Sequence, residues 1–302
     1  MDGGQPQNST GARARLAVAA LLFSTGGAAI KAAAFTGWQI ACFRSGIAAL
    51  VLWLLIPGAR RGWSWRNVVV GITYAATLVL FVLANRLTTS ANTIFLQSTA
   101  PLYVLLLAPW LLRERVRPGD IAFMAVVGAG LLLFFVGAEA PLVTAPDPGR
   151  GNLLAAGSGV TWALTVCGLR WMGRDGAEHA AIGAVVVGNA LAFVATLPRA
   201  LPLAAHPAMD WVVIVYLGVF QIGLAYALVT SALRRLQAFE ASIILLIEPA
   251  FNPLWAWVVH REVPSPWALG GGALILGATA LRTLLEARSR LTVSSDSGVA
   301  AS

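Results

Sequence analysis

Long apolar stretches separated by short polar connections make up most of the chain. Each stretch covers about 20 residues, the length at which an α-helix crosses the hydrocarbon core of a bilayer. The pattern therefore predicts ten transmembrane helices, and no connection between them is long enough to hold a soluble catalytic domain. The predicted spans are 16–35, 38–56, 67–85, 91–112, 119–137, 152–171, 179–197, 211–232, 240–259 and 267–285.

Composition supports an all-α polytopic membrane protein. Hydrophobic residues account for 58% of the 302 residues and charged residues for 11%, less than half of the roughly 25% that is usual in soluble domains. The net charge of +8 lies mainly in the connections, so it does not indicate a nucleic-acid partner. The two cysteines, Cys42 and Cys167, lie within apolar stretches, which argues against a disulfide framework and a zinc site.

Arginine and lysine are distributed unevenly over the two sides of the predicted membrane. If the N-terminus is cytoplasmic, 15 of these residues fall on the cytoplasmic side and 5 on the other, with Arg44 inside a span. Because basic residues are enriched in cytoplasmic loops, this bias predicts that both termini lie in the cytoplasm. The terminal segments 1–15 and 287–302 are polar and are predicted to be a disordered and a flexible tail.

The two halves of the chain resemble each other at a fixed offset of 148 positions. A Pro- and Gly-rich connection, GAEAPLVTAPDPGRG, separates a first repeat, 16–147, from a second repeat, 148–286, with five predicted spans each. Because five is odd, the second repeat would start on the opposite side of the membrane, as in transporters that alternate access around a central site. The matching positions are Pro101 and Pro249, Leu106 and Leu254, Ala108 and Ala256, Arg113-Glu114 and Arg261-Glu262, and Pro118 and Pro266.

The chain resembles the drug/metabolite transporters of the EamA type. The resemblance rests on the fourth-span pattern ANTIFLQSTAPLYVLLLAPWLLRERV, on its ninth-span counterpart EASIILLIEPAFNPLWAWVVHRE, and on the stretches GSGVTWAL and CFRSGIAAL. It covers nearly the whole chain and implies ten helices in two inverted five-helix repeats around a central cavity. It also implies export of amino acids or similar metabolites across the bacterial inner membrane.

The ninth predicted span carries polar residues and prolines at its centre. Glu248, Asn252 and Trp255 share one helix face at the spacing i, i+4, i+7. A carboxylate at the bilayer centre costs at least ~2.5 kcal/mol, so this face is expected to line a cavity or to hydrogen-bond a neighbouring helix. Pro249 and Pro253 each remove a backbone donor, and we expect the span to bend there.

Other spans supply aromatic, hydroxyl and amide side chains that would suit an amphipathic solute with an apolar side chain. Packing between helices is the alternative role for each of them. In the fourth span, Pro101 is predicted to act as a hinge together with Pro249 and Pro253. The further predicted substrate-binding residues are Tyr74, Thr77, Leu78, Gln97, Trp162 and Gln221.

Several charged residues near or within spans are predicted to have structural roles. Lys31 lies toward the outer end of the first span and is expected to snorkel to the interface, with a role at a gate or in binding a substrate carboxylate as the alternative. Arg44 lies deeper in the second span and is expected to anchor on an acid or on backbone carbonyls, with direct substrate contact as the alternative. Arg261 and Glu262 are expected to pair locally at the end of the ninth span.

The sequence thus predicts a secondary transporter that exports amino acids, with aromatic or bulky neutral side chains favoured. Cationic drugs or other small metabolites are the alternative substrates, with Glu248 as a counter-ion. Proton coupling through Glu248 and facilitated diffusion both fit the sequence. The predicted partners are a small-molecule substrate and the lipid bilayer; a monomer is compatible with the sequence, and the oligomeric state is left open.

No enzymatic activity is predicted from this sequence. It has no nucleotide-binding motif, and its three histidines have no metal-ligand spacing. Glu248 is the one obvious acid deep in a span, and a catalytic cluster would need further groups beside it. The sequence therefore predicts neither a cofactor nor a metal.

Overall fold

The computed structural model describes residues 7–60, 64–111, 118–136, 141–173, 180–233, 235–236 and 238–299. Within these ranges the chain is helical apart from its connections, and the β-structure in them is an isolated bridge between Leu142 and Ala145. The predicted all-α class is confirmed for the described residues. Positions 113 and 114, which carry part of the predicted sequence repeat, lie outside these ranges.

Nine helical segments in the described part of the chain are long and apolar enough to cross a membrane, which confirms a multi-pass arrangement. The predicted span 91–112 is not among them, because two shorter helices form its described part. The nine segments are Thr10–Ala32, Gly37–Leu55, Trp65–Leu87, Pro118–Val136, Pro148–Met172, Ala181–Ala200, Ala208–Leu233, Ile243–His260 and Pro266–Leu285.

Polar caps define several helix starts in the first half of the chain. The backbone N–H of Gln39 donates to Thr36 Oγ1, the N–H of Thr36 donates to Gln39 Oε1, and the N–H of Asn92 donates to Thr89 Oγ1. A 3₁₀ turn follows the third helix at Pro57–Arg60. The helices are α1 (Gln7–Ser24), α2 (Gly26–Ala32), α3 (Gly37–Leu55), α4 (Trp65–Leu87), α5 (Ser90–Gln97), α6 (Ala100–Leu111) and α7 (Pro118–Val136).

A π-helix, Leu217–Leu224, interrupts the α-helical structure of the second half. It joins two α-helices into one continuous segment, and π-helical turns are rare and frequent at functional sites. No pattern in the sequence predicted this π-helix. The helices of this half are α8 (Pro148–Gly173), α9 (Ala180–Ala200), α10 (Ala208–Tyr216), α11 (Ala225–Leu233), α12 (Ala238–Leu245), α13 (Ile247–His260) and α14 (Pro266–Val299).

Two helical breaks occur one turn before predicted hinge prolines. α5 ends at Gln97, four residues before Pro101, and α12 ends at Leu245, four residues before Pro249. A proline cannot donate a hydrogen bond to the carbonyl four residues earlier, and its ring clashes with that carbonyl, so the helix opens there. Pro253 lies inside α13, which continues without a break.

Helix boundaries repeat at the same offset as the sequence. The starts of α5 and α12 lie 148 positions apart, and so do their ends. α7 begins at Pro118 and α14 begins at Pro266, again 148 positions apart. Proline is favoured at a first helical position because the N–H that it lacks would have no partner there. Equivalent secondary structure therefore accompanies the matching residues.

The buried core lies toward one end of the helix bundle. We use the term N-terminal face for the end at which α1 begins. The largest cluster of buried apolar side chains lies near the opposite face and includes Ile30, Phe35, Leu96 and Leu217. Many large apolar side chains on the outer surface of the bundle are exposed, as expected for a surface that contacts lipid.

Candidate functional site

A cavity of about 700 Å³ extends from the middle of the bundle to the N-terminal face. Leu169, near the end of α8, and Leu233, the last residue of α11, border it toward that face. Arg44 and Gln97 border its inner end. This volume lies within the range of about 300–1,000 Å³ that is typical of small-molecule sites.

Seven of the nine residues predicted to bind substrate line this cavity. They come from five predicted spans, so the fold brings together side chains that are far apart in the sequence. The seven residues are Tyr74, Thr77, Leu78, Gln97, Trp162, Gln221 and Glu248.

Asn252 and Trp255 lie outside the cavity lining, although they share a face of α13 with Glu248. The indole N–H of Trp255 donates to Ser24 Oγ of α1 at 2.9 Å. Asn252 is fully buried beside Gly27 of α2, where a Cβ atom on the glycine would lie 2.9 Å from Asn252 Oδ1. The cavity therefore ends near the level of Glu248, and α1 and α2 cover the rest of that face.

Aromatic rings form one wall of the cavity. The ring centroid of Tyr74 lies 6.3 Å from that of Trp162 and 5.9 Å from that of Tyr226. Phe23 packs edge-on against Tyr226 at 5.1 Å. These contacts hold the rings in fixed positions and leave an apolar surface for a solute. The Tyr74 hydroxyl is buried and lacks a well-formed hydrogen bond within the described structure.

Hydroxyl and amide groups join α4 and α5 to α8 along another side of the cavity. The Gln97 amide donates to Ser158 Oγ at 2.7 Å. The hydroxyl oxygens of Thr77 and Thr161 lie 2.9 Å apart. Gln97 and Thr77 therefore link helices through hydrogen bonds and also line the cavity.

Arg44 lines the cavity, although the sequence favoured a structural anchor over contact with a substrate for this residue. Its side chain is 2% exposed and donates through Nη2 to the Leu78 carbonyl at 3.2 Å, so it does contact a backbone carbonyl as expected. Its Nε has no hydrogen-bond partner among the described residues. Arg44 is a cation in an apolar span that contains no acidic residue. This feature of the sequence indicates a charge without an ionic partner in its own span.

Glu248 and Gln221 both line the cavity. The Glu248 side chain is half-buried, and no described residue forms an ion pair or hydrogen bond with its carboxylate. Gln221 lies in the π-helix, where its Nε2 donates to the Phe23 carbonyl at 3.4 Å and its buried Oε1 has no described partner. The cavity thus combines aromatic walls with the Arg44 guanidinium and the Glu248 carboxyl group.

A buried ion pair closes the end of the bundle opposite the N-terminal face. Lys31 Nζ lies 2.8 Å from Glu262 Oε1, and the two side chains are 2% and 3% exposed. The expectation that Lys31 snorkels to the interface is therefore wrong. Lys31 Nζ also donates to the carbonyls of Thr88 and Thr144. Glu262 Oε2 accepts from the Ser90 N–H at the start of α5 at 3.0 Å. These contacts join α2, α5 and the segment after α13.

The expected local pair between Arg261 and Glu262 is not formed. Arg261 ends α13 in the left-handed conformation, with φ 59°, and its side chain is exposed. A left-handed residue at this position reverses the chain direction. Glu262, the next residue, is buried and contacts α2.

Comparison with known proteins identifies relatives of both halves of the chain. The EamA-like transporter family matches residues 15–136 and 149–284. The aromatic amino acid exporter YddG of Ancylobacter novellus is 26% identical over 190 residues, which cover 62% of this chain and 65% of that protein. Human solute carrier family 35 member G1 is 22% identical over 219 residues, which cover 69% of this chain and 59% of that protein. The chain thus aligns with slightly less than two thirds of each relative's length.

A solved crystal structure shares the fold. It superposes with a TM-score of 0.61 at 22% sequence identity, and the match covers 92% of this chain and 98% of the other. At this level of identity the likeness concerns the fold alone.

Proposed function

Because the chain belongs to the EamA-like transporter family, whose members are transporters and not enzymes, we propose that it exports amino acids across the bacterial inner membrane. Aromatic or bulky neutral amino acids are the proposed substrates. The observation that carries this proposal is the cavity, in which aromatic rings surround a few polar and charged atoms. The name of the bacterial relative, an aromatic amino acid exporter, supports the same substrate class.

The proposed topology has ten spans in two inverted repeats, 16–147 and 148–286. We count α5 and α6 as one interrupted span in addition to the nine long segments. The repeated helix boundaries at offset 148 support two equivalent halves. The excess of basic residues supports a cytoplasmic location of both termini, which makes the N-terminal face the cytoplasmic one.

The proposed mechanism is alternating access. In this conformation the cavity reaches the N-terminal face, while the Lys31–Glu262 pair and the apolar core close the other end. A solute would enter from the cytoplasm, and the closed end would then open as the first one closes. Pro101, Pro249 and Pro253 are the proposed hinges, and the breaks before Pro101 and Pro249 support two of them.

The test of the substrate class is counterflow in proteoliposomes that contain the purified full-length protein. Unlabelled tryptophan inside should drive accumulation of labelled tryptophan from outside, whichever way the protein is inserted. Trp162→Ala should lower the affinity for tryptophan roughly tenfold or more, because a large contact in the cavity is lost. Trp257→Ala, at a half-exposed position on the outer surface, is the matched control and should behave as the unmodified protein does.

Cationic solutes are the second candidate class, because the unpaired Glu248 carboxylate faces aromatic rings in the cavity. If tryptophan, phenylalanine and leucine give no counterflow while an aromatic amine does, the amino-acid proposal is wrong and this candidate replaces it.

Coupling to protons is a separate proposal that concerns Glu248. If this carboxyl carries a proton, a pH gradient should drive accumulation of labelled tryptophan, and Glu248→Gln should abolish the accumulation while counterflow persists. Glu240→Gln is the control, since Glu240 pairs with Arg13 outside the cavity. Equal accumulation by the unmodified protein and Glu248→Gln would contradict the coupling role and leave facilitated diffusion.

A further inference from the structure

Two opposite charges line the cavity, and neither has an ionic partner among the described residues. Arg44 is 2% exposed and has one carbonyl contact, with its Nε unpaired. Glu248 makes no ion pair or hydrogen bond, and it lies on the other half of the chain. Charges in an apolar interior are costly unless they are paired, so each of these groups calls for a partner of opposite charge.

Arg44 and Glu248 do not satisfy each other, because they form no ion pair. They nevertheless line one cavity together with the rings of Tyr74 and Tyr226. Arg44 and Glu248 come from different helices and line the same cavity as these rings.

Two other cations of the spans have protein partners and are poor candidates for anion recognition. Lys31 is occupied by Glu262 and two backbone carbonyls at the closed end. Arg86 donates to the carbonyls of Ile30 and Ala33. In the described lining of the cavity, Arg44 is the cation left with an unpaired donor.

From this arrangement we propose that the cavity recognises a zwitterion, with Arg44 binding its carboxylate and Glu248 binding its ammonium group. A guanidinium presents parallel donors that match the two oxygens of a carboxylate. An α-amino acid carries both charges at neutral pH, whereas an aromatic amine or an aromatic acid carries one. This inference rests on the proposed function and specifies how its substrate is recognised.

The proposal also gives the substrate a role in joining the two halves of the protein. Arg44 lies on α3 in the first proposed repeat, and Glu248 lies on α13 in the second. A bound zwitterion would bridge them, and removal of either charge from the solute would break the bridge.

The first experiment uses the unmodified protein and three indole compounds in the tryptophan counterflow assay. Tryptophan has both charges, tryptamine lacks the carboxylate, and indole-3-propionate lacks the ammonium group. We expect tryptamine and indole-3-propionate each to compete at least about tenfold more weakly than tryptophan, because each leaves one charged group of the cavity without a partner. Equal competition by either analogue would overturn the inference while leaving amino-acid transport intact.

The second experiment assigns each charge to its residue. Arg44→Gln should weaken tryptophan binding and bring tryptophan and tryptamine to similar affinities, while indole-3-propionate stays weaker than tryptophan. Glu248→Gln should bring tryptophan and indole-3-propionate to similar affinities, while tryptamine stays weaker than tryptophan. A residue with a merely structural role would weaken all three ligands by the same factor, and that outcome would overturn the assignment.

Folding of the variants is checked by size-exclusion profile and melting temperature. If Arg44→Gln does not fold, Arg44→Lys retains the cation, and we expect it to keep the preference over tryptamine with reduced tryptophan affinity. If folded Arg44→Lys loses its preference for tryptophan over tryptamine as fully as its preference for tryptophan over indole-3-propionate, the proposal is contradicted. Absence of counterflow for every amino acid in the unmodified protein would instead contradict the proposed function itself.

Discussion

The position of Tyr74 in the cavity wall depends on a close contact between glycines of α4 and α9. A Cβ atom built on Gly188 would lie 2.5 Å from Tyr74 Cδ1 and 2.9 Å from the Gly71 carbonyl oxygen. One built on Gly71 would lie 3.1 Å from the Gly188 nitrogen. The two backbones therefore approach so closely that neither position has room for a side chain.

Gly188→Ala is expected to lower both stability and transport, because the new methyl group must displace Tyr74 or separate the two helices. Overpacking of this kind costs about 1–3 kcal/mol. Gly128→Ala in α7 is the control, since a Cβ there meets nothing within 4 Å. The melting temperature in detergent and the rate of tryptophan counterflow should both fall in Gly188→Ala and stay unchanged in Gly128→Ala. Equal melting temperatures for the two variants would contradict the close contact.

At the scale of helices, the paired breaks before Pro101 and Pro249 distinguish α5–α6 and α12–α13 from their neighbours. The break after Leu245 lies next to Glu248, so movement about it would displace a cavity residue directly. The break after Gln97 likewise adjoins a residue of the lining. Each proposed repeat thus contributes one flexible point at the inner part of the cavity.

Pro249→Ala restores the donor that the Leu245 carbonyl lacks, and should therefore favour a continuous helix. We expect it to reduce the rate of tryptophan counterflow several-fold while raising the melting temperature. Pro253→Ala should have the smaller effect on rate, because α13 already continues through this position. Unchanged transport by Pro249→Ala would argue against a hinge at the break.

For the molecule as a whole, the closed end opposite the N-terminal face combines an apolar core with the buried Lys31–Glu262 pair. Apolar packing stabilises the contact between the two halves, but it is not directional and does not specify one register of the helices. The ion pair and its contacts with Thr88, Thr144 and Ser90 instead require one particular register. Opening this end during transport would have to separate these groups and hydrate them.

Glu262→Gln should favour opening of this end, because Lys31 loses its counter-ion while remaining buried. Removal of one partner of a buried pair costs about 3–5 kcal/mol, whereas an exposed pair contributes about 0–1 kcal/mol. Labelling of a cysteine introduced at Thr89 by a membrane-impermeant maleimide should therefore become faster in Glu262→Gln. Glu240→Gln, which breaks the more exposed pair with Arg13, is the control and should leave the labelling rate unchanged. Equal labelling in both variants would contradict a gating role for the buried pair.

Much of the architecture could be predicted from local features of the sequence. Runs of apolar residues determine where helices cross a membrane, because backbone groups in lipid must bond within their own segment. Pro101 and Pro249 determine the breaks, since the missing N–H acts on the carbonyl one turn earlier. Helix boundaries recur at the offset of 148 that the matching residues show in the sequence.

The environment of each polar residue was decided by the tertiary structure. Glu248, Asn252 and Trp255 share one face, as their spacing predicted, but α1 and α2 cover that face beyond Glu248. Lys31 and Glu262 are paired although they lie far apart in the sequence, and Arg44 lines the cavity without an acid beside it. Helical periodicity determines which side chains point the same way. Whether they then meet a cavity, a counter-ion or another helix depends on long-range packing, which local spacing does not contain.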